Sequence, residues 1–251
     1  MPPAASSIDR LAERLASARR VTVLTGAGVS AASGVPTFRG DGGLWRTHNA
    51  MELATPGAFA RNPTLVWEWY DWRRQAIAAA VPNRAHEVLA AWSHRWPGLT
   101  LITQNVDGLH ERSGARDVIR LHGSIWQVRC TGRCRDAAPR QDDRVPLPAI
   151  PPRCETCDSL LRPGVVWFGE ALDPSIVIAA SAAVACDVFL TIGTSALVYP
   201  AAGLTHEARA HGAFVVEINL DVTDASAIVD LALHGPAETI LPDVEAALTR
   251  R

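Results

Sequence analysis

Short apolar runs that break into glycine or polar residues recur along the chain. Val21–Thr25 is such a run, rich in β-branched residues, and it passes at once into Gly26-Ala27-Gly28-Val29-Ser30-Ala31. That order predicts a buried strand feeding a tight turn and then a helix start. Leu99–Thr103 runs into Gln104-Asn105-Val106-Asp107-Gly108, and residues 118–121 run into His122-Gly123. Successive strands are thus expected to end in polar, glycine-bearing turns, and parallel α/β sheets bind ligands at such carboxyl ends. Further strands are expected over Val188–Ile192, ending in Gly193-Thr194-Ser195, and over residues 214–218, ending in Asn219.

Apolar residues at helical spacing fill the intervals. Leu11, Leu15 and Ala18 predict a first helix within residues 1–20, with Ser7 or Asp9 near its N-cap. Leu65, Val66, Trp69, Trp72, Ile77 and Ala80 predict a helix over 63–81, stopped by Pro82-Asn83. Others are expected over 85–96, 175–185, around 201–211, over 225–233, and from Asp243 onward. The fold class is α/β, a parallel sheet with intervening helices. Two stretches break the pattern. After the first glycine turn no second strand follows; Ser33-Gly34, Pro36, Phe38-Arg39-Gly40 and Asp41-Gly42-Gly43 predict a lid-like loop. Over 125–161, cysteines, prolines and charges replace the apolar runs, which marks a small inserted module.

The 251 residues allow one large domain or two unequal ones, and 48% hydrophobic with 20% charged residues is an ordinary globular composition. A net charge of −2 gives no bulk support for nucleic-acid binding. No apolar run is long enough to cross a bilayer. Residues 1–20 lack the apolar core and cleavage pattern of a secretory signal, so a cytoplasmic protein is expected.

The run Gly26-x-Gly28-x-x-Ala31 after a strand is the arrangement that places a pyrophosphate at a helix N-terminus. Of the five cysteines, Cys186 lies in an apolar run and reads as core. Cys130 and Cys134 form a C-x3-C pair, and Cys154 and Cys157 a C-x2-C pair, with 19 residues between. Thiolates so spaced close a tetrahedral zinc site in a segment too poor in apolar residues to fold alone. Four ligands leave no open position, so one structural ion is expected; reduced thiols or two disulfides are the alternatives.

The motifs resemble, in order, those of the sirtuin family. They are Gly26-Ala27-Gly28-Val29-Ser30, Gly34-Val35-Pro36-Thr37-Phe38-Arg39, Thr103-Gln104-Asn105-Val106-Asp107, His122-Gly123, Phe168-Gly169-Glu170, Gly193-Thr194-Ser195 and Asn219. The cysteines sit where that family keeps zinc, and the match spans residues 21–241. The resemblance implies NAD-dependent removal of acyl groups from protein lysines, yielding nicotinamide, 2′-O-acyl-ADP-ribose and free lysine. It implies a Rossmann-like NAD-binding domain, a parallel sheet with helices on both faces, over 1–44, 86–124 and 166–251. A helical insertion over 45–85 and a zinc insertion over 125–165 would form the small domain.

Carried over by residue, Gly26, Ala27, Gly28 and Ser30 lie at the phosphates, with Gly193, Thr194 and Ser195 near the cofactor. Thr37, Phe38 and Arg39 belong to the lid by the nicotinamide ribose. Asn105, Val106 and Asp107 hold the nicotinamide carboxamide, with Gln104 near the ribose, and Asn105 and Asp107 count as catalytic. Asn219, Asp221 and Ala237 lie at the adenosine end. Val166, Phe168, Gly169 and Glu170 pair with the substrate backbone, and His122 is the general base. A base titrating near neutral pH suits the attack of the ribose 2′-hydroxyl.

Tyr70-Asp71-Trp72-Arg73 contains Y-x-x-R, which looks like the mark of the class III branch that favours succinyl, malonyl and glutaryl groups. A guanidinium binds a carboxylate through two charge-assisted hydrogen bonds, and a phenol adds a third. Ala50 and Ala54 match positions where that branch keeps small residues. A general deacetylase, an ADP-ribosyltransferase and a non-catalytic NAD sensor are the competing readings. Acyl-lysine proteins or peptides are the expected partners, with no nucleic acid and no membrane.

Overall fold

The computed structural model describes residues 5–36, 44–45, 48–134, 138–195 and 201–251. In chain order its elements are α1 (Ala5–Ser17), β1 (Val21–Thr25), a 3-10 turn over Ala27–Ser33, β2 (Leu44–Trp45), β3 (His48–Asn49), α2 (Ala50–Leu53), α3 (Pro56–Arg61), α4 (Pro63–Ala79), α5 (Arg84–Arg95) and β4 (Leu99–Thr103). Then come α6 (Leu109–Arg112), β5 (Ile119–Arg120), β6 (Gly123–Cys130), β7 (Arg140–Gln141), β8 (Leu161–Val165), α7 (Pro174–Ala183), β9 (Val188–Ile192) and α8 (Ala201–Ala210). The chain closes with β10 (Phe214–Asn219), a 3-10 turn over Asp224–Ala227, β11 (Leu231–His234) and α9 (Ala237–Thr249).

A six-stranded sheet runs in the order β11-β10-β9-β1-β4-β5, with every pairing parallel. The chain lays β4 and β5 to one side of β1, then returns to lay β9, β10 and β11 on the other. β1 and β9 are therefore neighbours where the winding reverses, the place at which such sheets open a ligand crevice. Both strands are buried at every position, as central parallel strands are. Alternate side chains reach opposite cores. Val21, Val23, Leu190 and Ile192 pack with Leu11, Leu89, Trp92 and Val244 of α1, α5 and α9. Leu24 and Phe189 pack with Val184, Leu204 and Ala208 on the α7–α8 side.

A third core joins the two insertions to each other. β7, β6 and β8 form a three-stranded antiparallel sheet in that order. Ile125, Val128 and Leu161 of this sheet pack against Phe59, Trp67, Trp69 and Tyr70 of α3 and α4. The Trp67 indole N–H donates to the Leu161 carbonyl at 2.7 Å, and the Leu147 N–H donates to the Asp71 carboxylate at 2.8 Å. Asn62 caps α4 by accepting from the Leu65 N–H, and Pro63 fills its first turn, where no N–H is needed. Among the described residues no helix is long and apolar enough to cross a membrane.

Several expectations need correcting. Residues 225–233 are not a helix: a 3-10 turn leads into β11, whose Leu231 and Leu233 are buried in alternation as a strand requires. The buried Glu217 carboxylate accepts from the Thr223 and Ser226 hydroxyls, which holds this turn against β10. The last helix starts at Ala237, not Asp243; Pro242 lies inside it rather than before it. α1 begins at Ala5, so Ser7 and Asp9 lie within the helix. Val165 ends β8 of the small antiparallel sheet, and residues 166–170 follow it outside any strand. The helices α2 and α3 lie within the helical insertion expected over 45–85, ahead of the one helix whose periodicity the sequence showed there. Residues 37–43, including Thr37, Phe38 and Arg39 of the lid-like loop, lie outside the described residues.

Candidate active site

The crevice at the winding reversal is built from two backbone turns in contact. The Gly26 N–H donates to the Ile192 carbonyl at 2.9 Å, and the Gly28 N–H to the Gly193 carbonyl at 2.8 Å. A Cβ on Gly28 would meet the Gly193 Cα at 2.7 Å, and one on Gly193 would meet the Val29 nitrogen at 2.5 Å. Gly193 also has φ +60°, in the left-handed region. Only glycine fits at either place, and the bare backbone of both turns faces one cavity of about 520 Å3.

β4 and β5 deliver the polar wall. The Gln104 side-chain amide donates to the Thr194 hydroxyl at 2.9 Å, tying the β4 turn to the β9 turn. His122 follows β5, and its Nδ1 lies 2.9 Å from the Gln104 carbonyl. A carbonyl only accepts, so Nδ1 carries the proton and Nε2 keeps its lone pair. Burial pushes the His122 pKa down, and the Gln104 hydrogen bond opposes this in part. Gln104, Asn105, Val106 and His122 all line the cavity.

Behind that wall lies a buried network. The Ser30 hydroxyl donates to Asp107 Oδ2 at 2.8 Å and accepts from Asn105 Nδ2 at 3.2 Å. The same Asn105 nitrogen donates to the Gly26 carbonyl at 3.1 Å. Asp107 also accepts from the Leu109 N–H at 2.9 Å, yet its burial pushes its carboxyl above the usual carboxylate range. Asn83, the N-cap of α5, donates its N–H to His86 Nδ1 at 3.2 Å, which leaves His86 Nε2 to face Ser30 Oγ at 3.3 Å. His110 packs 5.0 Å from His86, centroid to centroid, with Nε2 2.9 Å from the Thr25 hydroxyl. Burial pushes the His86 pKa to about 4 and that of His110 to about 3.

The opposite side of the cavity comes from the insertions. Tyr70 and Arg73 project from one face of α4; they are 2% and 8% exposed, and both line the cavity. Burial lowers the Arg73 pKa, and the neighbouring Tyr70 and Asp107 raise it. Its guanidinium lies 5.0 Å from the Trp69 ring centroid. Ala54 lines the cavity and Ala50 is buried beside it in the same core. Val166, Phe168, Gly169 and Glu170 form the remaining edge. In that segment the Val166 N–H donates to the His122 carbonyl, Phe168 N–H to Ala54, Trp167 N–H to the Glu170 carboxylate and Glu170 N–H to Trp167.

The structure thus gathers His122, Tyr70, Arg73, the glycine turns and the 166–170 segment around one cavity. Ser195 lines it too, whereas Ser30 and Asp107 stand behind its wall. Asn219, Asp221 and Ala237 lie beyond it at the ends of β10 and β11; the Asn219 amide donates to the Thr194 carbonyl at 2.9 Å. His86 and His110, which none of the sirtuin-like motifs singles out, are buried, and Met51, Trp167 and Leu172 also line the cavity. The signal for His86 was there: an asparagine cap followed three residues later by a side chain able to accept.

Outside the cavity lining, the Sγ atoms of Cys130, Cys134, Cys154 and Cys157 lie within 4.8 Å of one another. The nearest pairs are 3.5 Å apart, too long for a disulfide bond. Zinc–sulfur bonds of about 2.3 Å give a tetrahedral site with sulfur–sulfur edges of about 3.8 Å. The four thiolates fit one structural zinc ion.

Residues 26–200 match the model of the Sir2 family. The chain is 51% identical over 225 residues to the NAD-dependent protein deacylase of Aquifex aeolicus, covering 89% of this chain and 93% of that one. A crystal structure of a Sir2 homologue in complex with NAD superposes with a TM-score of 0.89 at 45% identity, covering 96% and 94% of the two chains. A structure of Sir2 with a p53 peptide and NAD+ superposes with a TM-score of 0.86 at 28% identity, covering 96% and 98%.

Proposed function

The chain belongs to the Sir2 family and is an NAD-dependent protein deacylase, and from that premise we propose that its preferred substrates are lysines bearing succinyl, malonyl or glutaryl groups. The observation that carries this reading is the position of Arg73 and Tyr70. Both are buried, and both line the same cavity as His122. A cation and a phenol at the wall of the pocket favour a carboxylate over a methyl group. Ala54, with Ala50 next to it, leaves room for the longer chain.

NAD, when bound, supplies a ribose carbon that becomes electrophilic as nicotinamide departs. Ala27, Gly28, Ser30 and Ser195 are assigned to its phosphates, where bare backbone at Gly26, Gly28 and Gly193 allows close approach. Asn105, Val106 and Asp107 are assigned to the nicotinamide carboxamide, and Gln104 to the ribose. Ser30 fixes both Asn105 and Asp107 through the hydrogen bonds described above. Thr37, Phe38 and Arg39 would close the site against water. Asn219, Asp221 and Ala237 are assigned to the adenosine end.

His122 is proposed as the general base for the ribose hydroxyl. Its Nδ1–H is committed to Gln104, so Nε2 accepts the proton. The 166–170 segment would bind the peptide backbone through its carbonyls and the Gly169 N–H, since its other N–H groups are bonded within the protein. Zinc holds the small antiparallel sheet together and takes no part in the chemistry. We assign residues 1–44, 86–124 and 166–251 to the NAD-binding domain and 45–85 with 125–165 to the small domain, a division supported by the separate core of the insertions.

Nicotinamide release from NAD with matched acetyl-, malonyl-, succinyl- and glutaryl-lysine peptides tests the reading. The acidic acyl groups are expected to give the higher kcat/KM. An acetyl peptide turned over faster than all of them would overturn it.

A further inference from the structure

Trp167 is not accounted for by any role above, yet it touches the group that would read the acyl chain. Its indole N–H donates to the Tyr70 hydroxyl at 2.9 Å, and the two side chains are 3% and 2% exposed. An indole N–H can only donate, so the phenol oxygen is the acceptor in this bond. The phenol's own proton must point elsewhere, and none of the described residues accepts it. We propose that Trp167 is a specificity-determining positioning residue: it holds the Tyr70 oxygen so that the Tyr70 proton is presented to the carboxylate of an acidic acyl group. This rests on the acidic-acyl reading of the cavity and deepens it.

The indole is itself clamped. The Arg162 guanidinium stacks over its ring at 3.6 Å from the centroid. Arg162 is held in turn by the Glu170 carboxylate, at 2.5 and 2.8 Å, and that carboxylate accepts from the main-chain N–H of Trp167 at 2.8 Å. Phe59 lies against the ring at 5.3 Å between centroids. Rotation of the indole would break this arrangement, so its N–H has one direction. Burial also pushes the Tyr70 pKa up to about 12, so the phenol keeps its proton throughout the working range. The same short segment that carries Trp167 is the one assigned to the peptide backbone, so docking of the peptide and reading of the acyl end share one rigid piece.

The test compares wild type, Trp167→Phe, Tyr70→Phe and the double variant on succinyl- and acetyl-lysine peptides. Trp167→Phe keeps an aromatic ring and removes the N–H. Its succinyl-over-acetyl ratio of kcat/KM is expected to fall about 10-fold, mainly through KM, as for loss of one aligned hydrogen bond to a charged group. In the Tyr70→Phe background the same substitution should change the ratio by less than about 2-fold, because the two act through one hydroxyl. Benzothienylalanine at position 167 retains the indole shape without the N–H and should reproduce the loss even where phenylalanine impairs folding.

An unchanged ratio in the benzothienylalanine protein would overturn the proposal, as would a loss that persists in full without the Tyr70 hydroxyl. Arg73→Met separates the two levels of the argument. Selective loss there with none at position 167 refutes the role of Trp167 alone; equal loss on both peptides from Arg73→Met and Tyr70→Phe refutes the acidic-acyl reading itself.

Discussion

The Nδ1 of His122 is bound to the main-chain oxygen of Gln104, 2.9 Å away, and Gln104 in turn grips Thr194 across the crevice. The proposed base is thus oriented by the same residue that joins two walls of the site. Its burial lowers its pKa from 6.5. A base works in its unprotonated form, so activity is lost as pH falls through that lowered value. The acid limb of kcat/KM against pH is expected below 6.5, and His122→Tyr should abolish turnover with the zinc content unchanged. A limb above 6.5 would show that another group titrates.

Arg73→Met should lower kcat/KM for a succinyl-lysine peptide at least ~10-fold more than for an acetyl-lysine peptide, given roughly 1.5–3 kcal/mol for a hydrogen bond to a charged group. Arg73→Lys should recover part of the loss, because a point charge replaces the planar fork. Steady-state kinetics on the two peptides decides it.

The sheet was readable in the chain because its strands obey a local rule. Val21–Thr25, Leu99–Thr103 and Val188–Ile192 are apolar on both faces and stop at glycine or polar residues. β11 was not readable: four residues at the sheet edge, preceded by a turn that Glu217 organises from another strand, carry little local signal. The candidate site divides the same way. The glycine turns announce themselves by their position after strands, whereas His122, Tyr70 and Arg73 stand out only once their motifs are set beside those of the sirtuin family. His86, His110 and Trp167 matter through contacts 24 to 97 residues distant in sequence, which periodicity does not register.

Ser30 carries three of the hydrogen bonds that order the wall. Its hydroxyl serves Asp107, Asn105 and His86 together. Ser30→Ala leaves two buried polar groups short of a partner, at a cost of about 1–3 kcal/mol each. The expected result is a fall of ~10- to 100-fold in kcat/KM that is equal for succinyl and acetyl peptides, with a raised KM for NAD. A loss confined to one acyl group would place Ser30 in acyl recognition instead.

Zinc is expected to matter through folding. Cys130 ends β6, which pairs with β8, and β8 leads directly into the 166–170 segment at the cavity edge. Chelation, or Cys154→Ser, should release the ion and loosen that segment together with the clamp around Trp167. Activity on every acyl peptide should drop at least ~10-fold with zinc per chain, and added zinc should restore the chelated protein but not the variant. Loss of zinc with full activity would contradict the structural role.

The paired imidazoles His86 and His110 set a pH dependence of stability. Their folded pKa values, about 4 and about 3, lie below the ordinary 6.5 of the unfolded chain. Between 6.5 and 4 the unfolded state binds more protons, so this contribution is complete above 6.5 and lost as pH falls toward 4. The loss is on the order of 3 kcal/mol for each ring. Asp107 works in the opposite sense, because its folded pKa is raised above 3.8 and its protonation on acidification favours the folded state. The imidazoles are therefore isolated by difference: urea midpoints for wild type and His110→Gln, measured from pH 7 to 4, should converge as pH falls, because the variant lacks one of the two proton-binding sites that unfolding releases. Parallel pH profiles for the two proteins would mean that the buried ring takes up its proton without unfolding.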